Sequence, residues 1–148
     1  MQEETPMNTD LTQAREVLQQ EGCTCVLCKG DVYYKSTRRG VAPLLVWLEE
    51  GIDVRGFSAA DKVVGKATAF LYCLLGVSAV HANVVSDAAA QVLQQHNIPL
   101  TWEQKVPAIQ NRAGDGLCPM EMATRNITDP ADAPAAIRAA LARLTDSK

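Results

Sequence analysis

Apolar residues recur along the chain with two different periods, and the switches between them mark out its elements. Leu11, Ala14, Val17 and Leu18 lie at helical spacing, which predicts an amphipathic helix over 11–21, capped by Thr9 or Asp10 and stopped by Gly22. Residues 23–28 and 32–37 are β-prone runs around Lys29-Gly30-Asp31 and predict a hairpin. Leu44, Leu45, Trp47 and Leu48 predict a second helix over 41–50, ended by Gly51. A short strand is then expected over 52–57, a turn over 58–61 with Asp61 as helix cap, an apolar helix over 62–75 closed by Gly76, and a strand over 77–85. Strand, helix and strand in that order predict a βαβ unit, with parallel strands joined by a right-handed crossover.

Ser86 and Asp87 cap a helix expected over 88–96, which Asn97 and Pro99 end. Over 100–106 Thr101, Glu103 and Lys105 alternate with Trp102, Gln104 and Val106, as in a strand. Pro119 in a first-helical position opens a helix running to about Arg125. Asp132 or Pro134 opens the last helix, with Ile137, Leu141 and Leu144 on its inward side. The order α-β-β-α-β-α-β-α-β plus a helical extension predicts an α/β protein: a three-layer α/β/α sandwich around a mixed five-stranded sheet. Its 148 residues contain no repeat or low-complexity linker, so one domain over 11–148 is expected behind a disordered tail over 1–10. In such sheets function sits where strand ends meet helix starts, here near Gly40 and Asp61.

Composition narrows the function classes. An apolar share of 47% and a charged share of 21% are those of an ordinary globular protein. A net charge of −3 argues against a DNA partner, although Lys35, Arg38 and Arg39 form a basic cluster whose contact with RNA stays open. The first nine residues are polar and acidic, unlike a secretory or organellar leader. The most membrane-like run, 67–80, is too short to span and is broken by Gly76, so no membrane partner is expected. Five cysteines without an export signal point to reduced thiols in a cytoplasm.

Three stretches invite a chemical reading. Cys25-Val26-Leu27-Cys28 has the spacing of a zinc knuckle or redox pair, but in a strand the two thiols face opposite ways and no second pair exists. Residues 60–67 approximate a phosphate-binding loop, with Ala60 in the first glycine position and Ala67 in the hydroxyl position, so nucleotide hydrolysis is not expected. Lys62 and Lys66 at a helix start nevertheless suit an anion; a solvated lysine pair is the bland counterpart. Residues 111–121 bring Asn111, Arg112, Asp115 and Cys118 to a third helix start, where a thiol beside an arginine has its thiolate favoured. The structural alternative is a glycine turn in which Cys118 is simply a cap. His81, in a buried strand, and His96, in a last helical turn, both read as structural.

The element order resembles the cytidine-deaminase-like fold. Residues 63–67 together with 111–121 resemble, more specifically, the uncharacterised bacterial family catalogued as domain of unknown function 1893, over about 11–124. That resemblance implies a divergent deaminase-like fold lacking the zinc motif. Deaminases need His-x-Glu or Cys-x-Glu at one helix start and Pro-Cys-x-x-Cys at the next. The corresponding starts read Gly40-Val41-Ala42 and Asp61-Lys62-Val63, so no metal and no cofactor are expected.

The expected protein is therefore a zinc-free, self-associating domain that binds or acts on an anionic or nucleotide-like small molecule. Cys118 and Asp115 are the candidate catalytic residues; Arg39, Gly40, Asp61, Lys62, Lys66, Asn111 and Arg112 are the candidate ligand-binding ones. The alternative is a non-catalytic interaction or self-association domain with a vestigial cleft.

Overall fold

A computed structural model of the chain describes residues 8–38, 40–111, 113–114 and 116–146. The helices are α1 (Thr9–Glu21), α2 (Ala42–Glu49), α3 (Lys66–Leu75), α4 (Asp87–Gln95), α5 (Pro119–Ala123) and α6 (Ala133–Asp146). The strands are β1 (Cys25–Lys29), β2 (Val32–Ser36), β3 (Ser58–Val64), β4 (Ala79–Ser86) and β5 (Leu100–Val106). They form one sheet in the order β2-β1-β3-β4-β5. β1 is antiparallel to β2 and β3, whereas β3, β4 and β5 run parallel. The chain thus adopts the expected α/β fold with a mixed five-stranded sheet. No described helix is long and apolar enough to cross a membrane.

The pleat of β1 divides the interior in two. Cys25 and Leu27 join a large core built with α2, α3, α4 and α6, while Val26 and Cys28 join Ala14 and Leu18 of α1 and Ala60 of β3. Layers of helix therefore cover both faces, and the two thiols of the Cys-x-x-Cys run point apart, as the period of a strand requires. The large core centres on α3, where Phe70, Leu71 and Tyr72 are buried on a helix apolar nearly all round. Each such side chain contributes roughly 1.5–3 kcal/mol by leaving water.

The expected βαβ unit is present, but its first half is displaced along the chain. Residues 52–57 are not a strand: Asp53 accepts from the Arg55 amide and pairs with its guanidinium, and Gly56 takes a positive φ. The strand lies at Ser58–Val64 instead, so Asp61 and Lys62 are extended rather than helical. Ser58-Ala59-Ala60-Asp61 has poor strand propensity; pairing on both sides, with β1 and β4, outweighs it. Helix α3 starts at Lys66 behind Gly65, so Asp61 caps nothing.

Two smaller corrections concern the ends. Helix α1 begins at Thr9 with Asn8 as its cap, the Asn8 carboxamide accepting from Leu11 N at 3.0 Å and bonding Ser58 Oγ at 3.1 Å. Asp10 accepts from Gly30 N, so the last residues of the expected tail belong to the fold, and residues 1–7 lie outside the described ones. On α6 Ile137 is buried but Leu144 is exposed, against the expected inward face.

Gly76 closes α3 at φ +75°, and a Cβ there would stand 2.9 Å from Arg55 Cγ. Gly22, at φ +69°, has nothing within 4 Å. Gly22→Ala should therefore cost the left-handed backbone penalty of about 1–2 kcal/mol, and Gly76→Ala visibly more. Urea denaturation of the two variants checks this; equal losses would mean that Arg55 yields without cost.

Candidate functional site

The junction of β3 with α3 is where the expected anion site falls. The first amides of a helix lack partners within it and attract negative charge. Here the chain supplies its own: Glu121 of α5, nearly buried, accepts from Lys66 N at 2.8 Å through Oε1 and from Ile109 N at 3.2 Å through Oε2. Gly65 leaves room for it, since a Cβ there would sit 3.3 Å from the Glu121 carboxyl and from Ile109. Lys66 Nζ donates to the Arg125 carbonyl at 3.0 Å and lies over the Phe70 ring. The 107–125 segment thus comes to the start of α3 and brings a carboxylate as plug.

The other expected residues do not gather there. Cys118 precedes the five-residue α5, half-buried against the large core. Asn111 holds a local turn by accepting from Gly114 N. Gly40 takes a positive φ just before α2. Arg38 is exposed and Lys35 pairs with Glu21. Arg39, Arg112 and Asp115 lie outside the described residues.

Because Asp61 and Lys62 are neighbours on a strand, they face opposite sides of the sheet. Asp61 is buried in the large core, where Tyr72 Oη donates to Oδ2 at 2.7 Å and Val63 N to Oδ1 at 3.2 Å. The Cys25 thiol lies 3.2 Å from the same phenol and, with Tyr72 donating to Asp61, is the donor. Burial pushes the Asp61 carboxyl up to about 7, against the pull of Tyr72 and the Val63 and Lys62 amides. Burial likewise raises Cys25 and Tyr72. Asp61 is an internal group joining β3 to α3.

Lys62 faces the other side. There α1 packs mainly on β1 and β3, leaving a cavity of about 330 Å³ lined by Arg15, Leu18, Gln19, Gly22, Lys62, His81, Asn83 and Glu103. Among the described residues neither Arg15 nor Lys62 makes an ion pair. His81 is 3% exposed. Its Nδ1 lies 2.7 Å from Thr101 Oγ1, while its buried Nε2 has no hydrogen-bond partner. The Glu103 carboxylate stands 3.9 Å from Nε2, too far for a hydrogen bond. Burial and then the Arg15 charge hold the imidazole below its ordinary value, outweighing Glu103, so the ring is neutral at pH 7. A second cavity of about 280 Å³ lies between the ends of α2 and α3, where Asp53 and Arg55 already pair with each other. Neither cavity is lined by Gly40, Asp61, Lys66, Asn111 or Cys118.

Of the residues lining this cavity, the sequence singles out Lys62 as a candidate but not Arg15, His81, Asn83 and Glu103 as a group. One signal was available. Strands buried on both faces in a parallel sheet read as near-continuous apolar runs, and His81-x-Asn83 interrupts one. Among the described residues no three His, Cys, Asp or Glu side chains are placed to hold a metal ion.

The family model for a domain of unknown function, DUF1893, matches residues 13–141. A crystal structure of a DUF1893 family protein from Thermotoga maritima, TM1506, is 23% identical and superposes with a TM-score of 0.80. The match covers 97% of this chain and 95% of the other, so the fold is shared over nearly its whole length. No curated protein matches the sequence.

Asp61 makes stability depend on pH. Its folded value is raised above the unfolded one, so the folded state holds a proton that the unfolded chain releases. Stability is full below the unfolded value of 3.8 and falls as pH rises towards about 7. The loss amounts to about 4 kcal/mol. Asp61→Asn keeps an acceptor for Tyr72 and should flatten that part of the profile; unchanged pH dependence in melting curves would refute the assignment.

Proposed function

The chain belongs to the DUF1893 family, and for this member we propose that the groove between α1 and the β4–β5 half of the sheet binds a small anion-bearing molecule. The observation that carries this is His81 Nε2, buried yet unpartnered at the groove's wall. Leaving such a polar atom unsatisfied costs about 1–3 kcal/mol, which a ligand making the missing bond returns. Arg15 and Lys62 supply positive charge at the same cavity, and neither is neutralised by an ion pair among the described residues. A volume of about 330 Å³ is at the small end for ligand sites, which favours a compact metabolite over a complete nucleotide.

The order of elements and the sheet order β2-β1-β3-β4-β5 support reading the domain as a divergent cytidine-deaminase-like fold. In that reading the usual catalytic corner has become structural. Gly65 and Lys66 stand at the start of α3, and Glu121 fills the position next to them. We read the protein as cytoplasmic, in keeping with five free thiols. The alternative, a self-association domain with a vestigial cleft, draws support from Trp102, 46% exposed on the edge strand β5.

Inorganic phosphate and succinate, titrated against the full chain in a thermal-shift assay, test the proposal. One or both should raise the melting temperature in a salt-sensitive way. Arg15→Gln with Lys62→Gln should weaken that binding by about tenfold or more, since each charged hydrogen bond is worth about 1.5–3 kcal/mol. An equal shift in the double variant, or no shift in the unaltered protein, would remove the groove as an anion site.

A further inference from the structure

The groove carries opposite charges on its two walls, and this narrows the class of molecule it takes. Arg15 belongs to α1 and Lys62 to β3, whereas Glu103 belongs to the edge strand β5. His81 and Asn83, two residues apart on β4, occupy the strand between β3 and β5. Among the described residues no lysine or arginine pairs with Glu103; the nearby Lys105 goes to Asp87 and stacks over Trp102. The gap of 3.9 Å between Glu103 Oε2 and His81 Nε2 places two hydrogen-bonding atoms beside each other without a bond between them. A single donor-rich atom bound beside both would satisfy the pair.

Resting on the reading of the groove as an anion site, we infer that its ligand is a small zwitterion of the amino-acid type. Its acidic group meets Arg15 and Lys62, and its ammonium meets Glu103, His81 Nε2 and Asn83 Oδ1. The ammonium has three protons, enough to serve Glu103 on β5 and the two acceptors His81 Nε2 and Asn83 Oδ1 on β4. This requires one tautomer of His81, with Nδ1–H donating to Thr101 Oγ1 and a lone pair on Nε2 facing the groove. The Thr101 hydroxyl at 2.7 Å allows that tautomer, and the neutral ring supplies the lone pair. A plain dicarboxylate or inorganic phosphate fits the cationic wall but sets a negative charge towards Glu103. A plain amine fits Glu103 and is repelled by Arg15 and Lys62.

Calorimetric titration of the full chain with the twenty common amino acids, each beside the acid lacking its amino group, tests this together with inorganic phosphate. At least one amino acid should bind about tenfold more tightly than its desamino counterpart, because a charge-assisted bond is lost with the ammonium. Glu103→Gln, an isosteric change at an exposed side chain, should abolish that preference without weakening the desamino acid's binding. If desamino acids and phosphate bind as well as amino acids, or if Glu103→Gln leaves the preference intact, the zwitterion assignment falls and the anion site stands. If no amino acid, acid or phosphate binds, both fall.

Discussion

Everything in this domain is arranged around a strand held from both sides. β3 pairs antiparallel with β1 and parallel with β4, so its register is fixed twice, and each residue is assigned to one face of the sheet. A slip of one position would drive Lys62 into the large core and bring Asp61 out to the groove. The Tyr72–Asp61 bond adds a polar link from that strand to the buried helix it precedes. Burial is what raises the Asp61 carboxyl, and a buried acid that keeps its proton at acid pH is compatible with an otherwise apolar core.

The same alternation separates the two kinds of chemistry. On the α3 side, polar groups are matched within the chain: Glu121 caps α3, Lys66 finds a carbonyl, and Cys25, Tyr72 and Asp61 form a closed series. On the α1 side one buried polar atom, His81 Nε2, is left unmatched. Helix α1 lies across β1 and β3, so β4 presents His81 and Asn83 to a hollow instead of a helix. An unmatched buried polar atom is costly to a folded protein, and its place on the wall of a hollow is the physical reason to look there for a ligand.

The helix start at Lys66 shows why a sound local argument reached the wrong use. Free amides at a helix N-terminus attract an anion whether it arrives in solution or on the chain. Residues 107–125 return to that point and deliver Glu121, fifty-five residues on in sequence from the amide it caps. Proximity of that kind is invisible to motif spacing. The Cys25–Cys28 pair is the opposite case: the two-residue period of a strand settled its geometry from the sequence, and each thiol is in a different core.

The sequence by itself determined the succession of elements, the mixed sheet, the parallel βαβ unit and the caps at Gly22, Gly76 and Ser86, because each follows from local periodicity or backbone freedom. Tertiary structure decided where β3 lies, since a run of small residues with weak propensity becomes a strand when edges on both sides require one. It also decided which polar residues are spent inside the protein and which remain available. Arg15, Lys62, His81 and Glu103 come from four elements spread over most of the chain, and what unites them is the sheet order and the reach of α1.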